Sequence, residues 1–298
     1  MAIRINRGGE VHMRSRLLTL VAAALAALAA LAAPALGASG AYVALGDSFT
    51  SGPLIPNQVG SPAGCLRSDR NYPRVTRAGL TDIATFRDVS CSGAVTADLF
   101  APQSVPLGTN PPQLDAVRPD ARVVTVGIGG NDIGFSDIVI NCARLNPFDP
   151  CRDDYVSGGR DAISARIAAT AARIDAVLAG IAARAPDARV FVVGYPVILP
   201  ASGLGCWPVV PITPTDVPYL RAKTVELNAM LAARAAAAGA TFVDTYMSSV
   251  GHDVCQSASV KWVEGLIPVN PAAPVHPNAN GMANTGAVVL RAIRAAGY

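Results

Sequence analysis

Apolar residues fall along this chain in two rhythms. Four short runs are nearly continuous and rich in β-branched residues, and each leads into glycine, aspartate or serine. They are "AYVALGDS" (41–48), "ARVVTVGIGGND" (121–132), "ARVFVVGYP" (188–196) and "ATFVDTY" (240–246), with a weaker fifth, "TFRDVSCSG", at 85–93. Runs without polar alternation are the pattern of strands buried on both faces. The second rhythm is helical. In 161–185, Ile163, Ile167, Ile174, Val177, Leu178 and Ile181 recur at three- and four-residue steps. The stretch 213–239 opens on cap residues and stops at Gly239, and 276–298 reads as a last helix reached through proline and asparagine. Strands alternating with helices predict an α/β fold: a three-layer sandwich with a central, mainly parallel five-stranded sheet and helices on both faces. No repeat and no second domain interrupts the pattern.

One apolar segment does not belong to that pattern. Arg4, Arg7, Arg14 and Arg16 precede "LLTLVAAALAALAALAA", and "PALGAS" follows with small residues suited to cleavage after Gly37 or Ala38. A basic stretch, an apolar core and a small-residue end predict a signal peptide over 1–38 and a secreted domain over 39–298. Four arginines and Glu10 leave with it, so the 24 basic and 21 acidic residues fall to 20 of each and the net charge from +3 to zero. A neutral domain has no basic patch for nucleic acid and gives no electrostatic steering.

Export changes the reading of the cysteines. All six (Cys65, Cys91, Cys142, Cys151, Cys206 and Cys255) lie beyond the leader, and an even count in an exported chain predicts disulfides. Metal-ligand spacings such as Cys-x-x-Cys are missing, and no metal or organic cofactor is expected. Composition alone leaves the pairing open. Long proline-rich stretches (53–73, 100–113, 144–155, 197–218 and 256–275) are predicted loops that can wall a pocket.

Ligands of open α/β sheets bind beyond the carboxyl ends of the strands. Three polar clusters fall there: Gly46-Asp47-Ser48, Cys91-Ser92-Gly93 and Gly129-Gly130-Asn131-Asp132. Each alone is also ordinary turn or capping chemistry. Together they offer a hydroxyl, an unobstructed glycine N–H and an uncharged side-chain amide. A serine nucleophile needs a base within hydrogen-bond reach, and two histidines remain after the leader. His276, in "APVHPNANG", stands where the last helix begins; His252, beside Asp253 and near Cys255, reads as a loop anchor.

In this order "GDSFTSG", "CSGAVTAD", "GIGGND" and "VHPNANG" resemble the four blocks of the SGNH (GDSL) hydrolase family, and the resemblance spans residues 41–285. The cysteine placement and "SVGHDVCQ" are similar to its branch of secreted actinomycete esterases and lipases. The resemblance implies Ser48 as nucleophile, His276 as general base and acid, and an oxyanion hole from the Ser48 N–H, the Gly93 N–H and the Asn131 amide. It also implies the disulfides Cys65–Cys91, Cys142–Cys151 and Cys206–Cys255.

One position departs from the family. Where many members carry an aspartate three residues before the histidine, this chain has Ala273, and no acid follows Glu264. A Ser48–His276 dyad is therefore expected, with the Ala273 main-chain carbonyl orienting the imidazole; Asp253 and Asp132 are the acids that could replace it from distant loops. Asp47 and Asp132 read as braces for their own turns. The apolar loops around Ile138, Phe148, Val209 and Ile212 suit an acyl chain, and an aromatic content of 5% argues against a sugar-stacking site. The expected substrate is a small-molecule or lipid ester, met by a monomer through transient contact with a lipid surface. A carbohydrate acetylesterase, a phospholipase and a non-catalytic secreted binding protein are the competing readings.

Overall fold

The structure, a computed structural model, describes residues 1–2 and 39–298. Apart from its first two residues, the predicted signal peptide lies outside the described residues. No described helix is long and apolar enough to cross a membrane.

The chain opens with β1 (Ala41–Gly46), a single helical turn α1 (Ser48–Ser51), α2 (Tyr72–Ala78) and β2 (Thr85–Asp88). A hairpin of β3 (Gln103–Val105) and β4 (Gly108–Asn110) leads to β5 (Ala121–Gly127), α3 (Phe135–Cys142) and the short α4 (Arg152–Tyr155). A second small hairpin, β6 (Val156–Ser157) and β7 (Arg160–Asp161), enters the long α5 (Ala162–Arg184). Then come β8 (Arg189–Val193), α6 (Asp216–Ala237), β9 (Thr241–Val243) and α7 (Ala279–Ala295).

The central sheet has five strands, all parallel, in the order β2-β1-β5-β8-β9. The order reverses between β1 and β5, and that reversal opens a crevice at their carboxyl ends. Alternate side chains face opposite layers. Val43, Leu45, Val124, Val126 and Val192 pack toward α5 and α6, burying Ile167, Ile174, Ile181 and Leu231. Tyr42, Val123, Phe191 and Val193 face the other way, against Tyr72 of α2 and Met282, Val289 and Ile293 of α7. At about 1.5–3 kcal/mol for each fully buried aliphatic or aromatic side chain, these two layers are the main source of stability.

The three long predicted helices form close to their predicted limits. Asp161 caps α5 by accepting from the N–H groups of Ile163 and Ser164, and Asn278 caps α7 through those of Asn280 and Gly281. The four unpredicted helices, α1 to α4, span 4, 7, 8 and 4 residues, too short to display a full apolar period. The strands in turn are shorter than the apolar runs: β5 ends at Gly127, and Gly129–Asp132 leave the sheet. Sulfur atoms of Cys65–Cys91, Cys142–Cys151 and Cys206–Cys255 stand 1.98, 1.93 and 2.02 Å apart. The first bridge ties the loop after α1 to the turn after β2, and the third ties two of the proline-rich walls together.

Candidate active site

The crevice starts where β1 ends. Gly46 lies at φ +151°, and a Cβ there would stand 2.2 Å from Thr50 Oγ1 and 2.5 Å from the Gly127 carbonyl. Only glycine lets β1 pass so close to β5 and turn into α1. The turn is then fixed at both sides. The Asp47 N–H donates to Gly127 O at 3.0 Å, and the Asp47 carboxylate accepts from the Phe49 N–H at 2.8 Å. The Gln113 side-chain amide pairs with both main-chain groups of Gly46, at 2.8 and 3.0 Å. Ser48 is thus the first helical residue of a rigid turn, 6% exposed. Its N–H belongs to the unpaired first turn of α1 and has no acceptor among the described residues.

His276 meets it from the opposite end of the chain. Nε2 lies 2.7 Å from Ser48 Oγ, and the ring sits 5.0 Å from the Phe49 ring, centroid to centroid. Nδ1 lies 2.7 Å from the carbonyl oxygen of Pro274. This corrects the expectation that the Ala273 carbonyl orients the imidazole. Ala273 O instead accepts from the His276 main-chain N–H at 3.2 Å, closing a turn over Pro274 and Val275. Val275 stands at φ +59°. Proline followed by a left-handed residue is the type II pattern, which swings the intervening peptide and its carbonyl over. A β-branched residue is strained there, yet that conformation aims the Pro274 oxygen at the ring. With Nδ1–H donating to a carbonyl, Nε2 is left as the acceptor for the Ser48 hydroxyl.

Neither alternative acid reaches the ring. Asp253 accepts from the Cys255 N–H and the Gln256 amide. Asp132 accepts from the main chain and hydroxyl of Thr96 and pairs with Arg173 at 3.3 Å. It therefore joins the third polar cluster to the helical turn after the second. His252 stacks on Trp262 at 3.5 Å, its Nδ1 on the Val260 carbonyl, as a loop anchor would.

The remaining donors come from the ends of β2 and β5. Gly93 lies at φ +79°, and its N–H has no acceptor among the described residues. One hydrogen of the Asn131 amide goes to Ala94 O at 2.8 Å, locking Asn131 to the Gly93 turn. The other remains available, since an amide nitrogen carries two donors.

Burial sets the electrostatics. It holds His276 below the usual imidazole value of 6.5, with the Pro274 carbonyl pulling the other way. It pushes the Asp47 carboxyl up to about 7, against the Tyr195 hydroxyl and the Phe49 N–H, which favour the charged form.

Beside the pair lies an apolar cavity of about 860 Å³, open mouth included, lined among others by Phe135, Ile138, Tyr195, Ile212, Leu227 and Val275. Ile138 and Ile212 are there as expected, whereas Phe148 and Val209 are exposed and line no part of it. Two residues near the site were not anticipated, Tyr195 and Glu264. Tyr195 stands just past the carboxyl end of β8, and that position was the available signal. Glu264 is an isolated acid in an apolar loop, "KWVEGLIP". Among the described residues no group of three histidine, cysteine or acidic side chains could hold a metal ion.

A serine hydroxyl on a histidine nitrogen, with free donors at neighbouring strand ends of a parallel sheet, defines a serine-hydrolase type of site. Residues 44–283 match the GDSL-like Lipase/Acylhydrolase family. The chain belongs to that family, also called SGNH hydrolases, and is a carboxylic-ester hydrolase. It is similar to Lipase 2 of Streptomyces coelicolor, 38% identical over 247 residues that cover 80% of this chain and 81% of that one. The lipase of Streptomyces rimosus is 33% identical over 249 residues, covering 80% and 81%. Among solved structures, phospholipase A1 from Streptomyces albidoflavus superposes with a TM-score of 0.71 at 28% identity, over 86% of this chain and 99% of that one. The extracellular lipase of Streptomyces rimosus gives 0.66 at 30%, with the same coverage.

Proposed function

We propose that this protein is a secreted lipase or esterase that cleaves lipid-type esters through a Ser48–His276 dyad and an acyl-enzyme. The observation that carries the reading is the 2.7 Å separation of Ser48 Oγ and His276 Nε2, with Nδ1 already committed to a carbonyl. Ser48 attacks the acyl carbon as Nε2 takes its proton. The Ser48 and Gly93 N–H groups and the Asn131 amide receive the oxyanion. The imidazolium then protonates the departing alcohol, and water releases the acid by the same path. The Pro274 carbonyl replaces the carboxylate of a triad; being neutral, it orients the ring and stabilises the imidazolium less than an acid would.

The apolar cavity beside the dyad supports an acyl chain as the group held, and the names of the similar lipases and phospholipase agree with a lipid ester. Exposed Val209 and Ile267 belong to loops that also wall this cavity, and with exposed Phe148 of the loop after α3 they suit transient contact with a lipid surface by a monomer. The leader pattern over 1–38 ahead of a single 39–298 domain, three disulfides and an extracellular relative support export.

The test is hydrolysis of p-nitrophenyl esters from C2 to C16 by residues 39–298, beside Ser48→Ala. Activity greatest on chains longer than acetate and reduced by about 10⁴-fold or more in the variant is expected. Unchanged activity in the variant sinks the dyad. No hydrolysis of any ester by the folded protein turns the reading to a binding scaffold.

A further inference from the structure

The mechanism above leaves one buried polar side chain unused although it touches both flanks of the nucleophile. Tyr195 is 4% exposed. Its hydroxyl donates to Asp47 Oδ2 at 2.6 Å and accepts from the Gly130 N–H at 2.7 Å. Its ring meets that of Phe49 edge-on, with centroids 5.2 Å apart. Asp47 and Phe49 are the neighbours of Ser48, and Gly130 is the neighbour of Asn131. One oxygen atom therefore spans the gap between the nucleophile's turn and the turn that presents the amide donor.

Tyr195 is itself held in place. Its main-chain N–H donates to Asn228 Oδ1 and its carbonyl accepts from Asn228 Nδ2, both at 2.8 Å, which ties it to α6. Burial keeps its hydroxyl protonated far above the ordinary phenol range, so it remains a donor to Asp47. The glycine before Asn131 also finds its reason here. A Cβ on Gly130 would stand 2.9 Å from the Tyr195 oxygen and 3.0 Å from Cζ. Glycine at 130 is what allows the phenol to approach its N–H.

We infer that Tyr195 is a positioning residue for ester hydrolysis: its hydroxyl fixes the Gly130–Asn131 peptide, and so the Asn131 amide, relative to Ser48. The inference rests on the proposed dyad and oxyanion hole. The phenol touches no reacting atom; it acts through Asn131. Misplacing one donor by a fraction of an ångström weakens transition-state binding and leaves ground-state binding of the acyl chain intact.

The experiment is steady-state hydrolysis of p-nitrophenyl butyrate by Tyr195→Phe, Asn131→Ala and the double variant. Phenylalanine keeps the ring that walls the cavity and removes only the oxygen. We expect kcat to fall about ten- to a hundredfold with KM within about twofold. In the Asn131→Ala background the same change costs less than about twofold, because the donor it positions is already gone. Full additivity of the two losses overturns the inference, as does a raised KM at constant kcat, which would make Tyr195 a cavity wall only. Gly130→Ala is the second route, since its methyl displaces the phenol without deleting it. It should show the same loss in kcat alone and add little to Tyr195→Phe. A Gly130→Ala enzyme with unchanged kcat overturns the inference too. Failure of the underlying reading looks different: Ser48→Ala would then retain activity.

Discussion

Two buried carboxylates flank the Ser48–His276 pair, and burial has opposite outcomes in them. Glu264, 0% exposed, accepts four hydrogen bonds: from the N–H groups of Val269 and Asn270 and from the side-chain amides of Asn270 and Asn278, at 2.8 to 3.1 Å. Burial pushes its carboxyl up, but these donors together bring it below the ordinary value. Asp47, 1% exposed, accepts two, from Phe49 and Tyr195, and burial prevails, raising it to about 7. Desolvation disfavours the charged form of both; the number of donors decides the sign. Their tasks differ accordingly. Glu264 organises the loop that carries His276, since its own N–H donates to His276 O and its carboxylate holds Asn278, the cap of α7. Asp47 braces a turn that the sheet already fixes.

Removing the better-satisfied acid should do the greater damage. Glu264→Ala takes the acceptor from one buried donor, on Asn278, and three half-buried ones. At about 1–3 kcal/mol for a buried unpaired group and less for each half-buried one, the loss is about 3–5 kcal/mol in all. Urea unfolding of the variant should show a loss of that size, and kcat/KM should fall with it as His276 loses its seat. A loss below about 1 kcal/mol would mean that Glu264 is a passenger and the contrast between the two acids has no structural weight.

The contrast also marks where the sequence could be read and where it could not. Strands such as 121–127 were legible because burial on both faces writes an unbroken β-branched run. Ser48, Gly93, Asn131 and His276 were legible because each sits at a strand or helix end inside a compact polar cluster. Tyr195 and Asp47 lie 148 residues apart, and no local pattern announces that they share a hydrogen bond. Glu264 finds its partners five to fourteen residues further on, in loops without periodicity. The shift from Ala273 to Pro274 has a different cause. It follows from the left-handed backbone at Val275, which the sequence argues against, since valine disfavours positive φ.

Asp47→Asn sharpens the comparison through pH. A carboxyl at 3.8 in the unfolded chain and about 7 in the fold binds a proton more tightly when folded. Between those values the native state holds the extra proton, so this group's contribution to stability falls as pH rises and levels off above about 7. From pH 5 to pH 8 the wild type should therefore lose roughly 2–3 kcal/mol relative to Asp47→Asn, at about 1.4 kcal/mol for each pH unit inside the window. Unfolding free energies measured at both pH values give the difference. A constant gap between the two proteins would show that Asp47 stays ionised, as well satisfied as Glu264.

The smallest effect concerns the group between the two braces. In the proposed mechanism His276 must be neutral at Nε2 to take the Ser48 proton, and burial with only a carbonyl partner lowers its proton affinity. Its neutral form therefore still predominates at pH 6.5, and more than half of the maximal kcat/KM should remain at that pH. A carboxylate on Nδ1 would act in the opposite direction and carry the acid limb upward. Asp47 titrates close enough to blur the wild-type profile, so the decisive curve is that of Asp47→Asn, in which one acid limb is left. A midpoint below 6.5 assigns that limb to an imidazole oriented by Pro274. A midpoint above 6.5 requires a negative charge at the ring, and the carbonyl would no longer explain how His276 is held.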